Sequence, residues 1–374
     1  MLTTISAEHL TTAFLALTTG SAESLDERRN ADTLTQMLRD LGFTVFEDDA
    51  GAKLGGNAGN LYGCLAGTLP GPPLLFSAHM DTVAPGRDKR PVLHDDGRLT
   101  SDGTTVLGAD DAAGLCEILE GIRAVRAAGL PHRSIEVLLP VAEEIYIRGS
   151  ALFDFSRIRA QEAYVLDMSG GVGSAAVQAP SMVAFRVTVT GRASHAGFAP
   201  ENGIHAIAAA ASAISQIPQG QIDPETTCNI GTITGGTARN IVPETCVCNG
   251  EIRSFSHDRA WEAADQVRAA FETAAADYGA HAAVETEEIL RAYRVPSDSP
   301  IVQRFQRACR TLGLPGTLRT TLGGSDCHSI LKAGIGGIVL SCGMYRVHST
   351  EEHTSVHDLV QGAALVAELI RDPV

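Results

Sequence analysis

The sequence predicts an α/β protein: a mostly parallel sheet between helices, interrupted by an inserted ferredoxin-like α+β domain. Three observations carry that prediction. Short, nearly continuous apolar runs at 74–78, 135–142 and 163–168 alternate with stretches of helical spacing, the pattern of parallel strands covered on both faces. Near Gln178-Ala-Pro-Ser181 the rhythm changes. Residues 184–190 alternate strictly, with Phe185, Val187 and Val189 on one side and Arg186, Thr188 and Thr190 on the other. After Val295-Pro-Ser297 the first rhythm resumes. These changes set the domains at 1–179 with 291–374 for the α/β part, and 180–290 for the insert.

Taken in order, residues 5–18 and 25–42 have helical spacing. The first is apolar at Leu10, Phe14 and Leu17, the second at Leu34, Met37, Leu38 and Leu41, with Gly42 as the stop. Short strands follow at 43–46 and 60–64. Residues 85–105, polar and rich in Gly, Asp and Arg, read as a loop lining the site. From Ala112, the residues Leu115, Ile118, Leu119, Ile122 and Val125 share one helical face that ends near Gly129. Within the insert, a helix at 203–217, strands at 227–234 and 244–253, a helix at 257–279 and a strand at 282–290 complete the order β-α-β-β-α-β. A helix at 300–312, strands at 318–322 and 337–342, and a helix at 355–371 close the chain. Ser355-x-x-Asp358 has the capping-box pattern.

Apolar content of 44% with 20% charged residues over 374 residues fits a folded core rather than a disordered chain. A net charge of −15 argues against nucleic acid or an anionic membrane as partner. Met1-Leu-Thr-Thr-Ile-Ser-Ala-Glu8 lacks a basic segment followed by an apolar one, so a cytoplasmic protein is expected. No stretch approaches the ~20 apolar residues of a membrane span. Eight cysteines are scattered without a Cys-x-x-Cys, which argues against a thiolate zinc site; Cys246 and Cys248 read as small apolar strand residues.

The chemistry gathers at the ends of the apolar runs. His79-x-Asp81 closes the run at 74–78, and side chains two apart on a strand point the same way. Asp110-Asp111 lies in Leu107-Gly-Ala-Asp-Asp-Ala-Ala-Gly114, Glu143-Glu144 follows the run at 135–142, Asp167 closes the next, and His348 lies in His348-x-x-x-Glu352. Several buried carboxylates without counter-charge would each cost several kcal/mol. Divalent cations remove that cost.

In this order of motifs the chain resembles the dinuclear zinc exopeptidases of clan MH, and most of all the peptidase T branch, with carboxypeptidase G and the aminoacylases as more distant cousins. The motifs run from residue 79 to 352. The resemblance implies a zinc-exopeptidase catalytic domain with an inserted lid and dimerisation domain. It also implies two divalent ions per chain, zinc first with manganese or cobalt as alternatives. His79, Asp110 and Asp167 would hold one ion; Asp110, Glu144 and His348 would hold the other. Glu143 would be the general base, and Asp81 would orient His79.

Within the insert, Gly191-Arg-Ala-Ser-His-Ala-Gly197 looks like the lid motif of that family, so His195 is expected to stabilise the oxyanion. Thr237-Ala-Arg-Asn-Ile-Val-Pro243 and Glu251-Ile-Arg253 carry Asn240 and Arg253 as substrate-binding candidates. The implied activity is hydrolysis of short peptides, as an aminopeptidase of tripeptidase type, by a homodimer joined through the lid domain. A carboxypeptidase or N-acyl-amino-acid amidohydrolase would share every ligand, and an inactive metal-stabilised binding protein would share all but the need for Glu143 and Asp81. The chain departs from the family pattern at Ala112, at Cys327-His328, and at Tyr146, where relatives usually carry glycine.

Overall fold

The computed structural model describes residues 4–372. Residues 1–3, which begin the segment read above for a leader, and 373–374 lie outside the described residues. The chain forms two compact units: Met1–Val177 with Val295–Thr320 and Gly324–Val374, and Gln178–Arg294 with Thr321–Gly323.

In the first unit the strands Ile135–Leu139, Leu74–Ser77, Glu162–Met168 and Gly336–Ser341 lie side by side in that order and run parallel. Antiparallel strands Leu61–Leu65 and Thr44–Glu47 extend one edge, and Ser174–Ala179 the other. Every residue of Leu74–Ser77 and Ile135–Leu139 is buried, which is why these strands read as unbroken apolar runs. The one acid among them, Glu136, accepts hydrogen bonds from Tyr62 Oη at 2.8 Å and from the amides of Arg159 and Ala160. Since Leu74–Ser77 lies between two parallel neighbours, three adjacent strand ends deliver His79, Glu143–Glu144 and Asp167 to one edge of the sheet.

Residues 85–105 are not wholly loop. Pro91–Leu93 and Arg98–Ser101 form a hairpin, and His353–Ser355 adds a third strand to it. The hairpin was hidden because the outer strand leaves Val92 and Leu93 exposed, so no inward alternation marks it. A helix, Cys327–Lys332, was also not anticipated. At the C-terminal helix Val356–Arg371, Ser355 Oγ accepts from the Asp358 amide at 3.1 Å. The Asp358 carboxylate takes the Ser355 hydroxyl at 2.6 Å rather than its N–H, so the expected capping box is formed only in half.

Helix Ala109–Ala127 packs on the Glu162–Met168 strand and against helices Ala7–Thr18 and Val356–Arg371. It buries Glu117, and among the described residues neither of its carboxyl oxygens has a hydrogen-bond partner. The room comes from Gly362 on the facing helix, where a Cβ would collide with the Glu117 carboxyl group. Burial, with Asp111 and Asp358 near, pushes the Glu117 carboxyl well above its usual range. The unfolded chain therefore loses this proton near the ordinary glutamate pKa while the folded chain keeps it. Stability contributed by the proton is present below that pH and falls as pH rises. Glu117→Met is expected to stabilise the protein by on the order of 1–3 kcal/mol. Thermal unfolding at pH 5 and pH 8 should show the gain growing with pH, and an equal gain at both would rule out the titration.

The second unit is a five-stranded antiparallel sheet in the order Gly220–Asp223, Thr226–Gly235, Thr245–Ser254, Ser181–Thr190, His281–Leu290. Without the short edge strand Gly220–Asp223, this is the ferredoxin-like arrangement. Val183, Phe185, Val187 and Val189 alternate into a core with Cys246, Cys248 and the alanine-rich helices Ala206–Gln216 and His257–Asp277. Among the described residues no helix is long and apolar enough to cross a membrane.

Candidate metal centre

His79 lies just past its strand with its ring buried. Its Nε2 is 3.0 Å from Asp110 Oδ1, 3.9 Å from Asp167 Oδ1 and 4.0 Å from Glu143 Oε2. The second imidazole, His348, is half-exposed, with Nε2 3.2 Å from Asp110 Oδ2 and 3.0 Å from Glu144 Oε2. Asp110 thus offers one oxygen to each histidine. Donor atoms of His79, Asp110 and Glu144 lie within 4.8 Å of one another, as do those of His79, Asp111 and Asp167. Asp111 differs from Asp110 in its other commitments: its oxygens accept from the amides of His79 at 3.2 Å and Gly114 at 3.3 Å.

The residues present fit divalent cations. Among the described residues no arginine or lysine pairs with Asp110, Glu143, Glu144 or Asp167. Glu144 Oε1 is buried without a hydrogen-bond partner among the described residues. Burial and then neighbouring carboxylates push Glu143 and Asp167 well above the carboxylate range. Burial also acts on Asp110, but hydrogen bonds from His348 and His79 outweigh it and hold Asp110 low. The same bonds to Asp110 and Glu144 raise His348 to about 10. Among the described residues the imidazoles are the only counter-charges in contact with these acids, and the donor set of nitrogen and carboxylate oxygen suits a hard or borderline cation.

A second tier of acceptors shapes the loops that carry these side chains. Asp81 is fully buried: Oδ1 accepts from the Glu143 amide at 3.0 Å, and Oδ2 from the Glu144 amide at 3.1 Å and from Ser24 Oγ at 2.6 Å. His79 Nδ1 is 3.0 Å from the Asp81 carbonyl and 3.4 Å from its Oδ1. Glu27 accepts from the Ala142 amide at 3.0 Å, and Glu352 accepts from the amides of Gly108 at 2.7 Å and Asp110 at 2.9 Å. Burial raises Glu27 and Glu352 each to about 7. Ser24, Glu27 and, as a support for Asp110, Glu352 escaped sequence reasoning. Ser24-x-x-Glu27 has only the look of a capping box, and Glu352 shows only as the end of His348-x-x-x-Glu352. Asp326 is also buried at this place, pushed to about 6 by burial, with Oδ1 unpartnered among the described residues. His328 turns Nδ1 to the Ser325 carbonyl at 3.1 Å.

The turn carrying the glutamate pair has an unusual backbone. Ala142, Tyr146 and Ile147 have φ of +53°, +74° and +58°. The left-handed region costs an L-residue roughly 1–2 kcal/mol, and glycine nothing comparable.

The other candidates belong to the second unit. His195 Nδ1 accepts from the amides of Gly197 and Phe198, each at 3.1 Å, which leaves Nε2 as the protonated nitrogen of the neutral ring. Phe198 stacks on it at 4.2 Å. Asn240 lies beside this loop, its carbonyl accepting from the Ala196 amide at 3.0 Å. Arg253 is paired with Glu251 at 2.8 Å and bonded to the Leu322 carbonyl at 2.7 Å.

Comparison with known proteins adds to this geometry. Residues 60–212 match the model of peptidase family M28, and residues 179–279 that of the peptidase dimerisation domain. An uncharacterized protein of Bacillus subtilis, YqjE, is 37% identical over 98% of this chain and 99% of its own. The crystal structure of aminopeptidase PepT from Bacillus cereus is 38% identical with a TM-score of 0.91, covering 99% of both chains. That of a tripeptidase from Staphylococcus aureus is 33% identical with a TM-score of 0.95, again covering 99% of both.

Proposed function

The chain belongs to the peptidase T-like family of metallopeptidases, and on that footing we propose that it removes the N-terminal residue of short peptides, tripeptides above all. The observation that carries the reading is Asp110, which faces two imidazoles with one oxygen each. Likeness to an aminopeptidase and a tripeptidase supports attack behind a free N-terminus.

His79, Asp110 and Asp167 would hold one divalent ion, and Asp110, Glu144 and His348 the other; zinc suits these donors best, ahead of manganese or cobalt. Asp110 is preferred to Asp111 as the shared ligand because both Asp111 oxygens already serve backbone amides. Bound ions supply Lewis acidity to the scissile carbonyl and make a water molecule more acidic. Glu143 takes the proton of the attacking water and returns it to the leaving amine. Asp81 fixes the His79 ring so that Nδ1–H faces the Asp81 segment and Nε2 is left to ligate.

His195 offers its Nε2–H to the oxyanion, and Asn240 binds a substrate carbonyl. Arg253 takes the substrate carboxylate only by giving up Glu251 or Leu322. The match to a dimerisation domain supports a homodimer. A panel of di- and tripeptides with each end free or blocked tests the reading. Free-amine tripeptides are expected to be cut fastest, by protein of twice the chain mass in light scattering. Faster cleavage of N-acylated amino acids would replace the aminopeptidase assignment with an amidohydrolase one.

A further inference from the structure

The three left-handed residues around the glutamate pair are not alike. Ala142 and Ile147 are buried, so their side chains gain packing in return for the backbone they adopt. Tyr146 is 62% exposed. Among the described residues its ring stacks on no other ring and its hydroxyl has no hydrogen-bond partner.

The backbone at Tyr146 cannot relax by itself. The Ile147 amide donates to the Glu143 carbonyl at 2.6 Å, and the Arg148 amide to the Ala142 carbonyl at 3.0 Å. At Gly149 a Cβ would run into the Val141 carbonyl, which closes the turn from its far side. The conformation at 146 is therefore set by the need to present Glu143 and Glu144. Glycine would accept it freely, yet the chain carries its bulkiest alternative but one, and among the described residues neither ring stacking nor a hydroxyl hydrogen bond accompanies the strain. Two peptide units separate Tyr146 from Glu144, so its Cα lies within about 7.6 Å of that of the glutamate.

We propose that Tyr146 is a specificity-determining residue: its exposed ring packs against an apolar side chain of the peptide bound at the metal centre. This rests on the peptidase reading above and names the substrates it favours, short peptides with a large apolar residue next to the scissile bond. An exposed aromatic ring held on a closed turn is well suited to this, because little side-chain freedom is lost when the ring is covered.

The test is steady-state kinetics of wild type, Tyr146→Phe and Tyr146→Gly on Leu-Gly-Gly, Gly-Leu-Gly and Gly-Gly-Gly, with thermal unfolding of each protein. In wild type, one of the leucine peptides should be preferred to Gly-Gly-Gly. Tyr146→Gly should lower that preference about tenfold, the change carried by KM, while its Tm equals or exceeds that of wild type because the strained φ is relieved. Tyr146→Phe should keep the preference, since it keeps the ring. An unaltered preference in Tyr146→Gly, or a loss in kcat shared equally by all three peptides, would overturn the proposal and leave Tyr146 as a residue that merely shapes the turn. If wild type cleaves none of the three, the peptidase reading falls as well.

Discussion

Glu143→Gln is expected to lower kcat at least ~10²-fold, the scale of a general base, while the protein keeps its full complement of ions. The reason is placement. Glu144 and Asp110 meet His348, and Asp110 meets His79 at 3.0 Å, whereas Glu143 meets neither imidazole closer than 4.0 Å; Asp167, at 3.9 Å from His79, is the ligand this contrast does not separate from it. Glutamine preserves the length and the backbone hydrogen bond to Asp81 and removes only the capacity to take a proton. His348→Ala should behave in the opposite way, shedding metal and losing activity for that reason. Metal analysis of both variants beside their rates separates the roles. If Glu143→Gln strips the metal as His348→Ala does, Glu143 is a ligand and the base must be sought elsewhere.

Asp81→Ala should be nearly as damaging without touching a substrate. Its carboxylate gathers the amides of Glu143 and Glu144, the Ser24 hydroxyl and one side of His79, so its loss frees the His79 ring and the Glu143–Glu144 turn together. Metal affinity is expected to fall about 10–100-fold, the usual scale for a residue supporting a ligating histidine. Competition against a chromophoric chelator measures this independently of turnover. Ser24→Ala should move affinity in the same direction by less, because the other three contacts remain. Undiminished affinity in Asp81→Ala would assign His79 its orientation from some other source.

The parts of the centre visible in the sequence share a physical property. His79, Glu143, Glu144 and Asp167 each follow an apolar run, and a strand buried on both faces announces itself by composition alone. The two rhythms of the chain, unbroken apolar runs against strict alternation, likewise separate a parallel sheet from a one-sided antiparallel one. Other parts act through backbone amides and leave no such mark. Glu352 serves the amide of Asp110, 242 positions away, and Glu27 that of Ala142, 115 away. No periodicity in either segment reports a hydrogen bond of that span. The hairpin at 91–101 was lost for a related reason, since its outer strand has no buried face. Glu117 escaped because a helical pattern is drawn from apolar residues, and a protonated acid can occupy an apolar position without altering the count.

The position of His348 and Glu352 has a consequence for how the protein is made. A ribosome-bound chain that has reached Thr320 already holds His79, Asp110, Glu143, Glu144 and Asp167, and the whole second unit apart from its Thr321–Gly323 segment. It still lacks the imidazole that shares Asp110 and the carboxylate that fixes the Asp110 loop. Those arrive with the last residues before the C-terminal helix, which must itself pack against Ala109–Ala127. Residues 348 and 352 must therefore be made before the centre can be complete. Chain made only as far as Thr320 is expected to hold the acids of the centre without its second imidazole.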